Sequence, residues 1–301
     1  MPLNIQLAAV QSTMPTTEVQ EESLAVSFNV QFWGVRAQVP TPGKDTVRYG
    51  GNTSCVEMRI GEARFIFDGG TGLRALGNSL LKQMPVEASL FFTHCHWDRI
   101  QGFPFFVPAF IPINYFHIYG APASDGSSFK QRLSKQMLGP NFPVPIQVMQ
   151  SKLEFHDLDV GSQQHFDGGL TVETCLLNEE QCSIGYRICD RQRTVVYAAA
   201  IEHAPEQPHP NLRHLANQAD LLILAVPSAA YHPSDPDSAT AADSPWRKHV
   251  ELAQQVGVKQ IVLSLHSPDH NDDFLDCVEA SIRQTCPQAS LAREGMAIAI
   301  A

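Results

Sequence analysis

What this sequence lacks narrows its role before any motif is read. No stretch approaches the roughly 18 consecutive apolar residues of a membrane-spanning helix. The first basic residue is Arg36, so neither the positive start of a secretory leader nor the arginines of a transit peptide are present. No Lys/Arg run exceeds Arg247–Lys248, and acidic residues outnumber basic ones, 31 to 21, for a net charge of −10. An acidic chain of this kind is a poor general ligand for nucleic acid or an anionic membrane. No C-x-x-C pair occurs: the seven cysteines (Cys55, Cys95, Cys175, Cys182, Cys189, Cys277 and Cys286) are odd in number and scattered. They read as reduced thiols, mostly buried as small apolar residues. The expectation is a cytoplasmic protein with no membrane and no nucleic acid among its partners.

What is present is core-forming material. Of 301 residues, 44% are hydrophobic and only 17% charged, which excludes wholesale disorder. Residues 1–27 are polar, carry Glu18, Glu21 and Glu22, and show little periodicity. They read as a flexible N-terminal arm, followed by one domain over residues 28–301.

Asn29–Phe32, Cys55–Ile60 and Arg64–Asp68 read as strands, with a tight hairpin turn at Gly61–Glu62. Leu73, Leu76, Leu80 and Met84 share one face of a predicted helix. Ala88–Phe92 is short and apolar apart from Ser89, as expected of a strand covered on both faces. Residues 103–119, rich in aromatics and proline, read as a loop layer. Further strands are expected near Leu153–Leu158, Leu170–Leu177, Ser183–Cys189, Thr194–Ala199, Leu221–Val226 and Gln260–Leu265. Helices are expected at Asn211–Asn217, along Trp246, Val250, Ala253 and Val256, and after the N-cap Asn271 with Asp272 and Asp273 in its first turn. Residues 231–245 form a low-complexity loop, and Ser290–Ile300 reads as one terminal strand. Periodicity alone gives α/β or α+β.

The sharpest chemical signal is Thr93-His94-Cys95-His96-Trp97-Asp98-Arg99, placed directly after an apolar strand. A strand end followed by H-x-H-x-D puts two imidazoles and a carboxylate on one short loop. These are ligands for zinc and similar divalent ions. Taken alone, histidines in a surface turn are an equal reading.

The segment resembles the H-x-H-x-D-H pattern of the metallo-β-lactamase superfamily, and more narrowly the branch related to ribonuclease Z and metal-dependent phosphodiesterases. Further matching segments are Phe32-Trp33-Gly34-Val35-Arg36, Tyr49–Cys55, Phe67–Gly72, the run on to Phe106, Gly185-Tyr186-Arg187-Ile188, and Val258–Asp276. The resemblance covers most of residues 29–300. It implies a four-layer αββα sandwich, an α/β fold, and by analogy a homodimer.

The same resemblance marks departures at the metal site. Where the family has a histidine ligand of the second metal, this chain has Arg99, whose guanidinium has no lone pair to give. A further ligand histidine falls at or near Glu179. The bridging aspartate falls at Ala200, with Glu202 and His203 just beyond, and a leaving-group histidine falls at Asp243. The last ligand histidine falls at Leu265 or His266, and both stay open. Asp68 corresponds to a carboxylate that orients a ligand histidine. Here it orients His94 or His96, or pairs with Arg99.

Two readings follow. In the first, the site is vestigial at His94, His96, Asp98, Arg99, Glu179, Ala200 and His266. No cofactor binds, and an ion pair of Arg99 with Glu179 or Asp98 replaces the metal charge. The protein is then a non-catalytic pseudo-hydrolase acting through a protein partner or a small ligand. In the second, His94, His96 and Glu179 hold one zinc with an open position, as in mononuclear hydrolases of phosphodiester type. Other features read blandly. Cys95 points away from the pocket between its histidines. The Gly50-Gly51-Asn52 and Gly69–Gly72 stretches are tight turns without the lysine of a phosphate loop. His203, His209, His214 and His232 are surface residues, and Asp269 and His270 belong to a turn.

Overall fold

The structure is a computed structural model, which describes residues 26–179, 182–199, 209–225 and 244–301. Fourteen strands carry its two sheets: β1 (Phe28–Gly34), β2 (Cys55–Ile60), β3 (Ala63–Phe67), β4 (Glu87–Phe91), β5 (Tyr115–Gly120), β6 (Lys152–Asp157), β7 (Gln163–Phe166), β8 (Leu170–Asn178), β9 (Ser183–Asp190), β10 (Arg193–Ala198), β11 (Leu221–Ala225), β12 (Gln260–Ser264), β13 (Ala289–Leu291) and β14 (Ala297–Ala299). The first sheet runs β14-β1-β2-β3-β4-β5-β6 and the second β13-β12-β11-β10-β9-β8-β7.

Alternation along the strands explains why the two sheets stack. Phe28, Val30 and Phe32 of β1, Phe65 and Phe67 of β3 and Phe91 of β4 meet Val172, Ile184, Tyr186, Ile188, Val195 and Tyr197 of the second sheet in one buried core. The intervening residues face outward, and helices cover them. Helix α1 (Thr71–Leu80) and α3 (Phe129–Lys135) pack on the first sheet through Leu73, Leu76, Leu80, Phe129 and Leu133. Helix α4 (Pro210–Ala216), α5 (Pro245–Gln255) and α6 (Asp272–Thr285) pack on the second through Leu212, Trp246, Val250, Phe274 and Ile282. The layers are therefore helix, sheet, sheet, helix, as the resemblance implies. Each such fully buried side chain contributes roughly 1.5–3 kcal/mol. A short α2 (Trp97–Ile100) caps the end of β4.

Two local expectations need correction. Residues 103–119 are not one loop layer: two 3-10 turns, Phe103–Phe105 and Val107–Phe110, are followed by β5, which pairs in parallel with β4 and β6. The expected terminal strand is two strands. β13 completes the second sheet and β14 the first, with Gly295 at φ 80° in the crossing between them. The short polar β7 and helix α3 go unread, although Ser128 and Gln131 form a reciprocal capping box at the start of α3.

Asn271 does cap α6, accepting from the Phe274 N–H. All seven cysteines are free. Residues 26 and 27 are tied to the domain, because the Val26 carbonyl accepts from Arg193 and the Ser27 carbonyl from Gly61. The rest of the predicted arm and positions 231–243 lie outside the described residues. No helix among the described residues is long and apolar enough to cross a membrane.

Candidate functional site

The site gathers at the ends of β3 and β4. Strand β4 delivers Phe92 and Thr93 into the interior, and the chain then turns through His94, Cys95 and His96 into α2. His96 keeps an extended backbone (φ −66°, ψ 151°), which starts the helix and leaves its ring beside that of His94, 4.4 Å between centroids. Cys95, between them, packs against the outer core of the first sheet, and burial pushes its thiol up to about 11.

Asp68 sits opposite, at the end of β3, in the left-handed region at φ 60°. Its side chain is wholly buried and accepts from four donors: the Thr93 N–H at 2.9 Å, the Thr93 hydroxyl at 2.9 Å, Tyr197 Oη at 2.8 Å and Arg99 Nη1 at 3.0 Å. Burial raises this carboxyl against the pull of Arg99, Thr93 and Tyr197. Every neighbour is a donor, so the contacts themselves are those of a carboxylate. Ser54 in turn contacts Tyr197 Oη at 2.7 Å, and it donates because the Tyr197 proton goes to Asp68.

Thr93 Oγ1 also lies 2.9 Å from His94 Nδ1. The hydroxyl has one proton, and Asp68 takes it. His94 Nδ1 must then carry the ring proton, which leaves Nε2 with an outward lone pair. Burial, together with Arg99 and His96, holds the His94 imidazole well below its ordinary pKa, so it stays neutral.

Arg99 fills the remaining side. Its Nη1 reaches Asp68, its Nε lies 3.2 Å from Asp98 Oδ2, and its Nη2 donates to the Ala199 carbonyl at 3.1 Å. Burial works against its charge, but Asp68 and Asp98 outweigh that and raise its pKa. The Asp98 carboxylate also accepts from the Gln38 N–H. Two glycines let the loops close this tightly. A Cβ on Gly70 would meet Thr53 Oγ1 at 2.4 Å and the Asp98 carbonyl at 2.5 Å, and one on Gly102 would meet the Gly70 carbonyl at 1.9 Å. The Gly69–Gly72 turn is thus occupied by protein.

Of the residues singled out in the sequence, the fold brings together Asp68, His94, His96, Asp98 and Arg99. Donor atoms of His94, His96 and Asp98 all lie within 4.8 Å of one another. Glu179 is exposed just past the end of β8 and is not in that group. His266 is buried elsewhere: Nε2 contacts the Ala292 carbonyl at 2.8 Å, and the ring meets Tyr49 edge-on. Burial takes His266 down to about 3. Leu265 adopts φ 65° and sits in the core between the sheets. Ala200, Glu202, His203, His232 and Asp243 lie outside the described residues. His209 accepts from Asn211 at the start of α4, and exposed His214 lies 2.6 Å from Glu173. His270 is buried, with its carbonyl on Arg36. Thr93 and Tyr197 were not anticipated. The threonine's place before the first histidine was a usable signal, whereas Tyr197 had none.

Comparison with known proteins agrees with this fold. The solved structure of a metallo-β-lactamase fold protein, YhfI from Bacillus subtilis, superposes with a TM-score of 0.63 at 15% identity, covering 91% of this chain and 99% of that one. The short form of human tRNase Z gives 0.61 at 19%, covering 91% and 99%. A diphosphatase of the PhnP family gives 0.61 at 16%, covering 90% and 97%. At these identities the likeness establishes the fold alone. No curated protein sequence matches the chain. A model of the β-lactamase superfamily domain matches residues 63–266, which run from β3 through the His94–Arg99 loop to the end of β12. By fold and by this match, the chain belongs to the β-lactamase superfamily.

Proposed function

We propose that this chain is a superfamily member whose metal pocket is held shut by an arginine, and that it acts by binding a protein or a small ligand rather than by two-metal hydrolysis. The observation that carries this reading is the Arg99 guanidinium, 3.0 Å from Asp68 and 3.2 Å from Asp98. A pair of metal ions needs carboxylates and lone pairs around it. Here a fixed cation without a lone pair claims both carboxylates. The residues present therefore do not fit two ions, and no hydrolytic step is derived through them. The net charge of −10 argues against nucleic acid as the ligand.

A second reading rests on the three donors of His94, His96 and Asp98 within 4.8 Å. Those residues would hold one ion of zinc type, which when bound supplies an activated water. The chain's own part is to set the His94 tautomer through Thr93, with Nε2 presented to the pocket.

The deciding test is metal content by elemental mass spectrometry, compared between the wild type and a His94→Ala/His96→Ala variant, both dialysed without chelator. Equal metal in the two supports the binding protein. A loss of about one metal per chain in the variant overturns it in favour of the single-ion hydrolase. If the two are equal, Arg99→His should add metal uptake at this pocket beyond that of the wild type.

A further inference from the structure

A second cluster of ligand-type side chains lies on the first sheet, away from Arg99. Strands β5 and β6 are parallel neighbours, β6 is the edge, and their register sets His117 opposite Glu154 and Tyr119 opposite His156. Residues two apart on a strand share a face, so Glu154 and His156 project together toward His117. Donor atoms of the three lie within 4.8 Å of one another.

We propose that His117, Glu154 and His156 form a divalent-cation site of zinc type. His117 Nδ1 is 3.3 Å from His156 Nε2 and 3.8 Å from Glu154 Oε2. Metal–nitrogen bonds of about 2.0–2.1 Å in a tetrahedron place their donors roughly 3.3–3.4 Å apart. The imidazole pair already has that spacing, and a small rotation of Glu154 closes the third side. Two imidazoles and a carboxylate with an open position suit zinc better than the oxygen-seeking calcium or magnesium.

The surroundings orient these groups as ligands. The other ring nitrogen of His117, Nε2, lies 3.6 Å from Glu87 Oε1, a charge contact longer than a hydrogen bond, on the side away from His156 and Glu154. Tyr115 Oη donates to Glu154 Oε2. The Tyr119 ring stacks on His156 at 4.5 Å, fixing its plane. The opposing charge is Lys152, whose Nζ lies 3.7 Å from Glu154 Oε2 and 3.9 Å from the Tyr115 ring centroid. That side chain is 67% exposed on a flexible stem, so an ion can displace it into water.

This site is independent of the reading of the Arg99 pocket, and the test separates them. Zinc alone is titrated into chelator-stripped full-length protein carrying His94→Ala/His96→Ala, against a competing chromophoric chelator. One zinc should bind. Adding His117→Gln/His156→Gln should weaken binding at least a hundredfold, with circular dichroism confirming the fold. Should the quadruple variant not fold, Glu154→Gln in the same background should still weaken binding at least tenfold. Zinc uptake that is absent in the first protein, or unchanged by the His117, His156 or Glu154 substitutions, overturns the site.

Discussion

The chain holds two clusters with the same ingredients (two histidines, carboxylates, a tyrosine and one cation), and they differ in where the cation is kept. In the central pocket Arg99 is buried among Asp68, Asp98 and the Ala199 carbonyl. At the sheet edge Lys152 stands in solvent beside Glu154. The buried guanidinium cannot leave without stranding two carboxylates, whereas the exposed ammonium can. On the reading proposed above, similar donor types are closed to a pair of metals in one place and open to one ion in the other. The deciding factor is the mobility of the resident charge.

The largest expected effect tests that difference directly. Arg99→Met should cost about 3–5 kcal/mol in urea unfolding, because Asp68 and Asp98 lose their counter-charge inside the protein. Lys152→Met should leave the unfolding midpoint where it is. Equal effects would remove the distinction. Next, Tyr197→Phe takes one donor from Asp68 and strands Ser54, for about 1–3 kcal/mol. Tyr115→Phe at the edge should shift the midpoint less.

The smallest effect is in the pH dependence. The folded His94 pKa is depressed below that of the unfolded chain, so the unfolded state binds more protons in acid. Its contribution is complete above the ordinary value of 6.5 and is lost as pH falls below it. The slope is at most about 1.4 kcal/mol per pH unit. His94→Gln should flatten the stability profile between pH 6.5 and 5, and His156→Gln, half-exposed at the edge, should flatten it less. A profile as steep in His94→Gln as in the wild type would mean that His94 is not held neutral.

Much of this fold is readable in the sequence because its strands are short apolar runs, alternating in β1 and buried on both faces in β4, β11 and β12, and its helices carry spaced apolar residues. What was hidden depends on tertiary choices. The alternation of Ser290–Ile300 is the same whether the segment joins one sheet or is shared between two. β7 is a half-exposed edge strand without an apolar face, and β5 is masked by the aromatic and proline density before it.

At the site, the loop of His94, His96 and Asp98 was legible as a motif, and the need of Arg99 for a carboxylate followed from its charge. Asp68, 31 residues earlier in sequence, was one of the roles left open there, and the side-by-side ends of β3 and β4 bring it onto Arg99. The choice between Leu265 and His266 could not be made from residue types. The backbone turns Leu265 into the core and His266 toward Ala292, so neither side chain joins the cluster of His94, His96 and Asp98. The edge cluster had a signal that went unused: Glu154 and His156 sit two apart on an expected strand.

The pairing of β1 with β14 has a consequence for synthesis. Phe28–Gly34 hydrogen-bonds on one side to β2, which follows within 30 residues, and on the other to Ala297–Ala299, about 270 residues later. At a translation rate of about 5–20 residues per second, that outer edge waits on the order of tens of seconds for its partner. Through that interval the nascent chain presents Phe28, Val30 and Phe32 on an open strand edge, the kind of surface that templates aggregation. The burden of protecting it falls on whatever meets the polypeptide as it leaves the ribosome.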